Sequence, residues 1–210
     1  MARRQAAGMR VIAGAARGVP LRAPRDRGIR PTASRLRESL FSMLEAAGSD
    51  LSRVLDLYAG SGALGIEALS RGGGRCTFVE ANAEACRVIR ENLRRTRLEP
   101  QGEVIRARVG RWQAEAGAGY TLVLADPPYE RGVAWGEIEH TVGGALDAQV
   151  MLAVEHAARQ PPPAALLGCS MWRNRRQGEG AIAVYRPANN RANNLPERPT
   201  ERPAERKDAV

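Results

Sequence analysis

Val54-Leu55-Asp56-Leu57-Tyr58-Ala59-Gly60-Ser61-Gly62-Ala63-Leu64-Gly65-Ile66-Glu67-Ala68-Leu69 is the stretch that decides the fold. A short apolar strand ends in a carboxylate, turns through glycines and opens a helix with apolar residues at Leu64, Ala68 and Leu69. Glycine permits positive φ and lets a ligand approach the backbone closely. The helix start offers N–H groups with no partner inside the helix. A second strand, Arg75–Val79, follows and ends in Glu80, 18 residues after Gly62. That spacing is close to the one at which an acidic residue grips the two hydroxyls of an adenosine ribose.

Outward from this unit, strands and helices alternate. The pattern predicts strand 53–57, helix 63–71, strand 75–79, helix 82–96, strand 103–107, a short helix 111–116, strand 120–125, helix 133–143 and strand 149–155. Alternation at this spacing is the signature of a parallel sheet with helices on both faces. Pro161-Pro162-Pro163 interrupts it. Beyond, Leu166–Trp172 and Gly180–Tyr185 read as a closing antiparallel pair joined by a basic turn, Arg173–Gln177. The expected fold is α/β and Rossmann-like, a seven-stranded mostly parallel sheet. Ahead of it, Met9–Arg22 reads as a basic β-hairpin of two strands, Arg10–Ala13 and Val19–Arg22. Arg30-Pro31-Thr32 then turns into a helix reaching about Ala47, with Leu36, Leu40, Met43 and Leu44 as its apolar stripe and Arg35 and Arg37 off it. The domain reading is a basic extension over residues 1–50, a catalytic domain over 51–186 and a disordered tail over 187–210. The tail is Pro, Asn, Arg and Glu with too little apolar surface to order itself.

A glycine loop of the form Gly60-x-Gly62-x-x-Gly65 serves both nicotinamide dinucleotides and S-adenosylmethionine. Charge discriminates between them. A dinucleotide places its pyrophosphate at the helix N-terminus. S-adenosylmethionine has no phosphate and carries an α-ammonium, which prefers a carboxylate such as Asp56 at the strand end. A second motif favours the latter: Asp126-Pro127-Pro128-Tyr129, directly after the apolar run Tyr120–Ala125. Two prolines stiffen the corner and leave carbonyls as its backbone polar groups. Acceptors beside a flat tyrosine face suit a planar amine conjugated to an aromatic ring, the exocyclic amino group of a nucleobase. A simple Pro-Pro strand stop is the competing reading.

The chain of 210 residues is long enough for one well-buried domain and carries a net charge of +9. Residues 1–37 hold ten arginines against Asp26, and the remainder balances 22 basic with 22 acidic residues, so the whole excess sits at one end. A basic stripe of that density is an electrostatic footprint for phosphate. No apolar run approaches a membrane span of about 18 residues, and the first eight residues lack the apolar segment of a secretory signal. Three cysteines (Cys76, Cys86, Cys169), with no C-x-x-C, point to a reduced, cytoplasmic setting and no metal site. His140 and His156 stand apart from ligand-spaced partners and read as surface or packed histidines.

With these residues assembled, the chain resembles the bacterial 16S ribosomal RNA (guanine-966-N2)-methyltransferase family, the D-type small-subunit RNA methyltransferases. The likeness runs from Met9–Gly14 through Gly28–Phe41, the Asp56–Gly72 segment and the Asp-Pro-Pro-Tyr corner to Gly180–Tyr185. It implies that Asp56, Tyr58, Gly60, Gly62 and Glu80 bind S-adenosylmethionine, leaving S-adenosylhomocysteine as product. It implies that Asp126, Pro127, Pro128 and Tyr129 hold the target guanine, and that Arg10, Arg17, Arg30 and Arg35 of the basic extension meet RNA, with 16S RNA or an assembling small subunit as partner of a monomer. One departure stands out: after the third strand, where the family has a small polar or acidic residue, this chain reads Arg106-Ala107-Arg108-Val109-Gly110-Arg111-Trp112. Trp112 is then either a cover for the adenine or a core residue. The rival readings are amino methylation of DNA adenine or another RNA, a nicotinamide-dependent oxidoreductase, and an idle RNA-binding factor that keeps only the fold.

Overall fold

The computed structural model describes residues 9–24, 31–128 and 135–188, without the side chains of 31–34. Helix α1 (Pro31–Ala46) leads into β1 (Arg53–Leu57), α2 (Ala63–Ser70), β2 (Arg75–Glu80), α3 (Ala83–Thr96), β3 (Gly102–Arg106) and β4 (Tyr120–Ala125). Then follow α4 (Trp135–Val142), β5 (Leu146–Ala157), β6 (Ala165–Leu166), β7 (Cys169–Gln177) and β8 (Gly180–Pro187). The strands form one eight-stranded sheet in the order β3-β2-β1-β4-β5-β8-β7-β6. β3 to β5 are parallel, and β8, β7 and β6 close the sheet antiparallel. β1 lies between β2 and β4, so the strand order turns back there. Open α/β sheets bind ligands in the crevice at such a point, outside the carboxyl ends of the strands.

The parallel strands are apolar almost throughout because both faces are covered. On one face Val54, Leu122, Leu124, Ala153 and Val184 pack under α1, α2 and α3 through Leu40, Phe41, Ile66 and Ile89. On the other, Leu55, Leu57, Val123, Leu152 and Val154 pack under Ile138 and Val142 of α4. Gly65 allows α2 to lie this close. A Cβ there would stand 2.4 Å from Phe78 Cε1 and 2.6 Å from Cys76 Sγ. No helix among the described residues is long and apolar enough to cross a membrane.

The segment 9–24 departs from the expected pair of strands. It still closes as a short hairpin around the Arg10–Pro20 bridge, with Val11 N–H donating to Val19 O at 3.1 Å, Gly18 N–H to Val11 O at 2.9 Å and Leu21 N–H to Met9 O at 2.8 Å. Two full strands do not form because the amides between are bonded to α2. The N–H groups of Ile12 and Ala13 donate to the Glu67 carboxylate at 2.8 and 3.0 Å. That of Ala15 donates to Ser70 O at 2.7 Å, and that of Ala16 to Ser70 Oγ at 3.0 Å. Gly14 passes so near Ser70 O that a Cβ would lie 1.7 Å from it. Glu67, fully buried on α2, also accepts from Arg71 Nε at 2.8 Å. Arg37 completes the cluster. It is 5% exposed, donates to Arg10 O at 2.6 Å, and has its Nε 3.9 Å from Glu67. Arg37 therefore belongs to the interior of the α1 contact and not to its solvent side, and it subtracts one charge from the basic stripe.

Other differences have equally local causes. The eighth strand, β6, is two residues long, too short to leave a periodic trace. Residues 111–116 form no helix. Val109 bridges to Trp112, while the Gly110 and Ala114 N–H groups donate to Thr141 Oγ1 at 2.7 Å and Thr141 O at 2.8 Å, docking the segment on α4. Arg173–Gln177 is strand, not turn, and Gly178-Glu179 makes the reversal. Residues 1–8, Arg30, Tyr129 and most of the tail lie outside the described residues.

Removing the Glu67 carboxylate takes the charge partner from buried Arg37 and the acceptor from two backbone amides, while Arg71 keeps Glu45. Breaking a buried ion pair from one side costs about 3–5 kcal/mol. Glu67→Ala should therefore lower unfolding stability by about that amount in urea titration, with Glu67→Gln less damaging because it keeps one acceptor. A loss below 1 kcal/mol for the alanine variant would mean that the cluster does not hold the segment.

Candidate active site

The crevice beyond β1 and β4 collects the residues that the sequence singled out around the glycine loop. Asp56, one residue before the end of β1, is 1% exposed, and its Oδ2 accepts the Gly65 N–H at 2.9 Å. A carboxylate at a helix N-terminus is favourably placed against the helix dipole. Burial nevertheless drives the Asp56 carboxyl well above the usual carboxylate range. The Gly65 N–H opposes that shift, and the neighbouring Asp126 and Glu80 reinforce it. Three carboxyl groups thus surround the loop, and the start of α2 is already capped by one of them. A cation beside Asp56 would offset the cost of charging it there, and a phosphate would add to that cost.

Glu80 closes β2, 7% exposed, and both its oxygens are engaged. Oε2 accepts the Gly60 N–H and Oε1 the Asn82 N–H, each at 2.8 Å. The loop it holds is left-handed at Gly60 (φ 57) and Gly62 (φ 78), a conformation that glycine adopts without strain. Asn82 in turn caps α3, its Oδ1 accepting from the Glu84 and Ala85 N–H groups at 2.8 and 3.1 Å. Each carboxylate oxygen of Glu80 keeps a second lone pair for a ligand hydroxyl.

Tyr58 stands at φ 55, an uncommon backbone for a bulky residue. Its hydroxyl donates to Glu137 Oε2 at 3.1 Å, tying the end of β1 to the first turn of α4. Burial, with Glu137 beside it, holds the hydroxyl above the usual phenol range, so it remains a donor. The acceptor corner follows β4. The Asp126 N–H reaches Leu57 O at 3.4 Å, Asp126 is half-buried, Pro127 buried and Pro128 exposed. Tyr129 falls outside the described residues. The structure thus brings Asp56, Tyr58, Gly60, Gly62, Glu80, Asp126 and Pro127 to one edge of the sheet. Arg10, Arg17 and Arg35 are exposed, and Arg30 lies outside the described residues. Trp112 is half-buried against the α4-side core. His156 is buried, its Nδ1 3.0 Å from Ala157 O and Nε2 3.2 Å from Asn174 Oδ1, a packed histidine.

Sequence reasoning missed three supporting residues. Glu137 left no signal, since a glutamate in a first helical turn is ordinary. Asn92 and Glu67 did leave one: each is a polar residue on the buried face of its helix. Asn92, fully buried, uses Nδ2 to donate to Ser61 O and Arg22 O, both at 2.9 Å, and accepts the Arg22 N–H at 2.8 Å. It thereby joins the glycine loop to the N-terminal segment.

Residues 9–186 match the family described as conserved hypothetical protein 95. The chain is 32% identical over 182 residues to the ribosomal RNA small subunit methyltransferase D of Escherichia coli, covering 84% of this chain and 89% of that one. A solved structure from Escherichia coli assigned as a methyltransferase superposes with a TM-score of 0.74 at 32% identity, over 85% of this chain and 97% of its own. A Thermus thermophilus protein described only as hypothetical gives 0.68 at 31% identity, over 84% and 98%. The chain belongs to this family, that of the D-type small-subunit ribosomal RNA methyltransferases, and its fold is the Rossmann-like fold of S-adenosylmethionine-dependent methyltransferases.

The residues present suit S-adenosylmethionine: a glycine loop clamped by Glu80, and a carboxyl-lined crevice for a sulfonium and an ammonium. Glu80→Ala should weaken S-adenosylmethionine binding by about 1–3 kcal/mol, the range for a hydrogen bond to a charged group. Calorimetry measures it, and circular dichroism checks that the fold is kept. Affinity unchanged in a folded variant would remove Glu80 from the cofactor site.

Proposed function

We propose that this chain transfers a methyl group from S-adenosylmethionine to the exocyclic 2-amino group of a guanine in small-subunit ribosomal RNA, the 966-type site. The observation that carries the reading is the convergence of Asp56, Glu80 and Asp126 with the Pro127-Pro128 corner at the switch point of the sheet, in a chain whose relatives are named small-subunit ribosomal RNA methyltransferases. When bound, S-adenosylmethionine supplies an electrophilic methyl group on a sulfonium.

The chain's own residues handle the acceptor. The amine lone pair of guanine is delocalised into the ring, so the nitrogen must be held partly pyramidal and in line. Alignment of this kind contributes several kcal/mol. Asp126 and the Pro127 carbonyl accept the two amine hydrogens and stabilise the positive charge that develops on nitrogen. The proton lost afterwards goes to Asp126 or to water. Tyr129 stacks on the base, worth about 1–3 kcal/mol in single-strand binders. A base inside a duplex cannot enter such a corner, so the guanine is unpaired or flipped out. The Asp126 amide reaching back to Leu57 O ties the start of the corner to β1, and Tyr58 reaching Glu137 ties the end of β1 to α4.

The nicotinamide reading is weakened by the Gly65 N–H of α2 being given to Asp56 rather than to an anion, and by the chain's membership of a ribosomal RNA methyltransferase family. Amino methylation of DNA would use the same corner, but no segment between the two motifs is large enough for a separate target-recognition domain.

Tritium transfer from labelled S-adenosylmethionine to undermethylated small-subunit RNA tests the proposal. Asp126→Ala should lower turnover by a factor of a hundred or more and leave cofactor affinity nearly intact, because the lost contacts form with the amine as charge develops. Near-normal turnover in that variant would reduce the corner to a strand stop.

A further inference from the structure

The far edge of the sheet carries arginines of its own, which meet one arginine of the N-terminal extension, Arg35, across a groove. β7 pairs with β8 along its length. On its other side it meets only β6, at Cys169 and Ser170, and Ala164 O, which accepts the Met171 N–H at 2.9 Å. From Trp172 to Gln177 that edge is open among the described residues. It bears Arg173, Arg175 and Arg176, and no acidic residue occurs between Glu155 and Glu179. Trp172 is flanked by two guanidinium groups, those of Arg173 at 4.9 Å and Arg186 at 5.3 Å from its ring centre.

Between the end of β7 and α1 lies a groove of about 660 Å³. Arg35 and Glu38 line it from α1 with Ser39 and Ser42, and Arg175 and Arg176 line it from β7. The two elements contribute three arginines against one glutamate. Arg35, Arg175 and Arg176 form no ion pair among the described residues, whereas Arg22, Arg37 and Arg71 all lie against carboxylates. Unpaired guanidinium groups converging from two elements on one groove form a phosphate-binding surface.

Position gives the groove its meaning. β7 runs in the same direction as β5 and β4, so its carboxyl end lies on the same side of the sheet, outside the carboxyl ends of the strands, as the Asp126 corner. Three strand spacings separate β4 from β7, about 14 Å at 4.7–4.9 Å each. That lateral separation is within the span of a few nucleotides of a strand whose target base enters the corner.

Resting on the function proposed above, we propose that the α1–β7 groove grips the phosphate backbone of the substrate RNA beside the methylated nucleotide. Arg35, Arg175 and Arg176 neutralise phosphates there, and Ser39 and Ser42 add uncharged donors. The contact is indifferent to sequence and sets the register in which the base is presented. Arginines on an open strand can also serve only to block edge-to-edge association. That role gives no reason for Arg35 on α1 to face the same groove.

The test compares the wild-type chain with an Arg175→Gln/Arg176→Gln double variant and with Arg35→Gln alone, which leaves the strand untouched. Arg94→Gln, an exposed arginine of α3, is the control. Binding of a small-subunit RNA transcript is measured by filter retention at several salt concentrations, and S-adenosylmethionine affinity by calorimetry. Each lost phosphate contact should reduce the slope of log affinity against log salt by about 0.7–0.9. The double variant should therefore become shallower by about 1.5 and bind about tenfold or more weakly at low salt, and Arg35→Gln should lose about half of that slope. Cofactor affinity and the Arg94→Gln slope should match wild type. Slopes equal to wild type in the groove variants, with aggregation in the double variant, would overturn the proposal in favour of edge protection. An equal loss in Arg94→Gln would overturn it in favour of diffuse charge. If the wild-type chain bound RNA but failed to methylate it, the functional proposal would fall while the binding comparison could still be read.

Discussion

The Gly60 N–H bonded to Glu80 at 2.8 Å is the contact on which the rest of the site depends. It fixes the left-handed loop against the end of β2, and the other oxygen of the same carboxylate fixes Asn82, from which α3 starts. The loop in turn sets where α2 begins, and Asp56 caps that beginning through Gly65. Carboxylates at strand ends thus hold backbone amides that would otherwise be available to an anion. The electrostatic character of the crevice follows from this. A glycine loop of the form that cradles pyrophosphate elsewhere is made, by its neighbours, into a place for a cation.

The same device repeats at the N-terminal segment. Glu67 holds the Ile12 and Ala13 amides, Ser70 holds those of Ala15 and Ala16, and Asn92 holds Arg22 while touching Ser61 of the glycine loop. The segment shares its apolar core with α1, α2 and α3. Exposed arginines on it, Arg10 and Arg17, are therefore carried by backbone that is anchored to the two helices flanking the cofactor loop. In the functional account, RNA held by those arginines and by the α1–β7 groove is positioned relative to the site by a rigid frame.

The alternating elements, the glycine loop and the proline corner were legible in the sequence because each is a local pattern: an apolar run, a turn residue, a periodic stripe. Asp56 and Glu80 were legible as carboxylates at strand ends, but not the amides they hold, since those partners lie 9 and 20 residues away. Contacts across larger separations were invisible. The Glu67 cluster joins residues 54 and 55 positions apart, and Arg37 was counted with the surface charge because nothing near it in sequence marks a buried acceptor. The arginines of β7 read as a turn because an edge strand exposes most of its length and so lacks the alternation that marks a half-buried one. Residues 111–116 read as a weak helix because their amide partner, Thr141, belongs to a later element.

Nucleoside mass spectrometry of small-subunit ribosomal RNA, from cells with and without the gene for this chain, tests the central claim most directly. The account predicts the loss of a single N2-methylguanosine in the deletion strain, its return with the wild-type chain, and no return with Asp126→Ala. An unchanged N2-methylguanosine content, or the loss of a methylated adenine in its place, would contradict it.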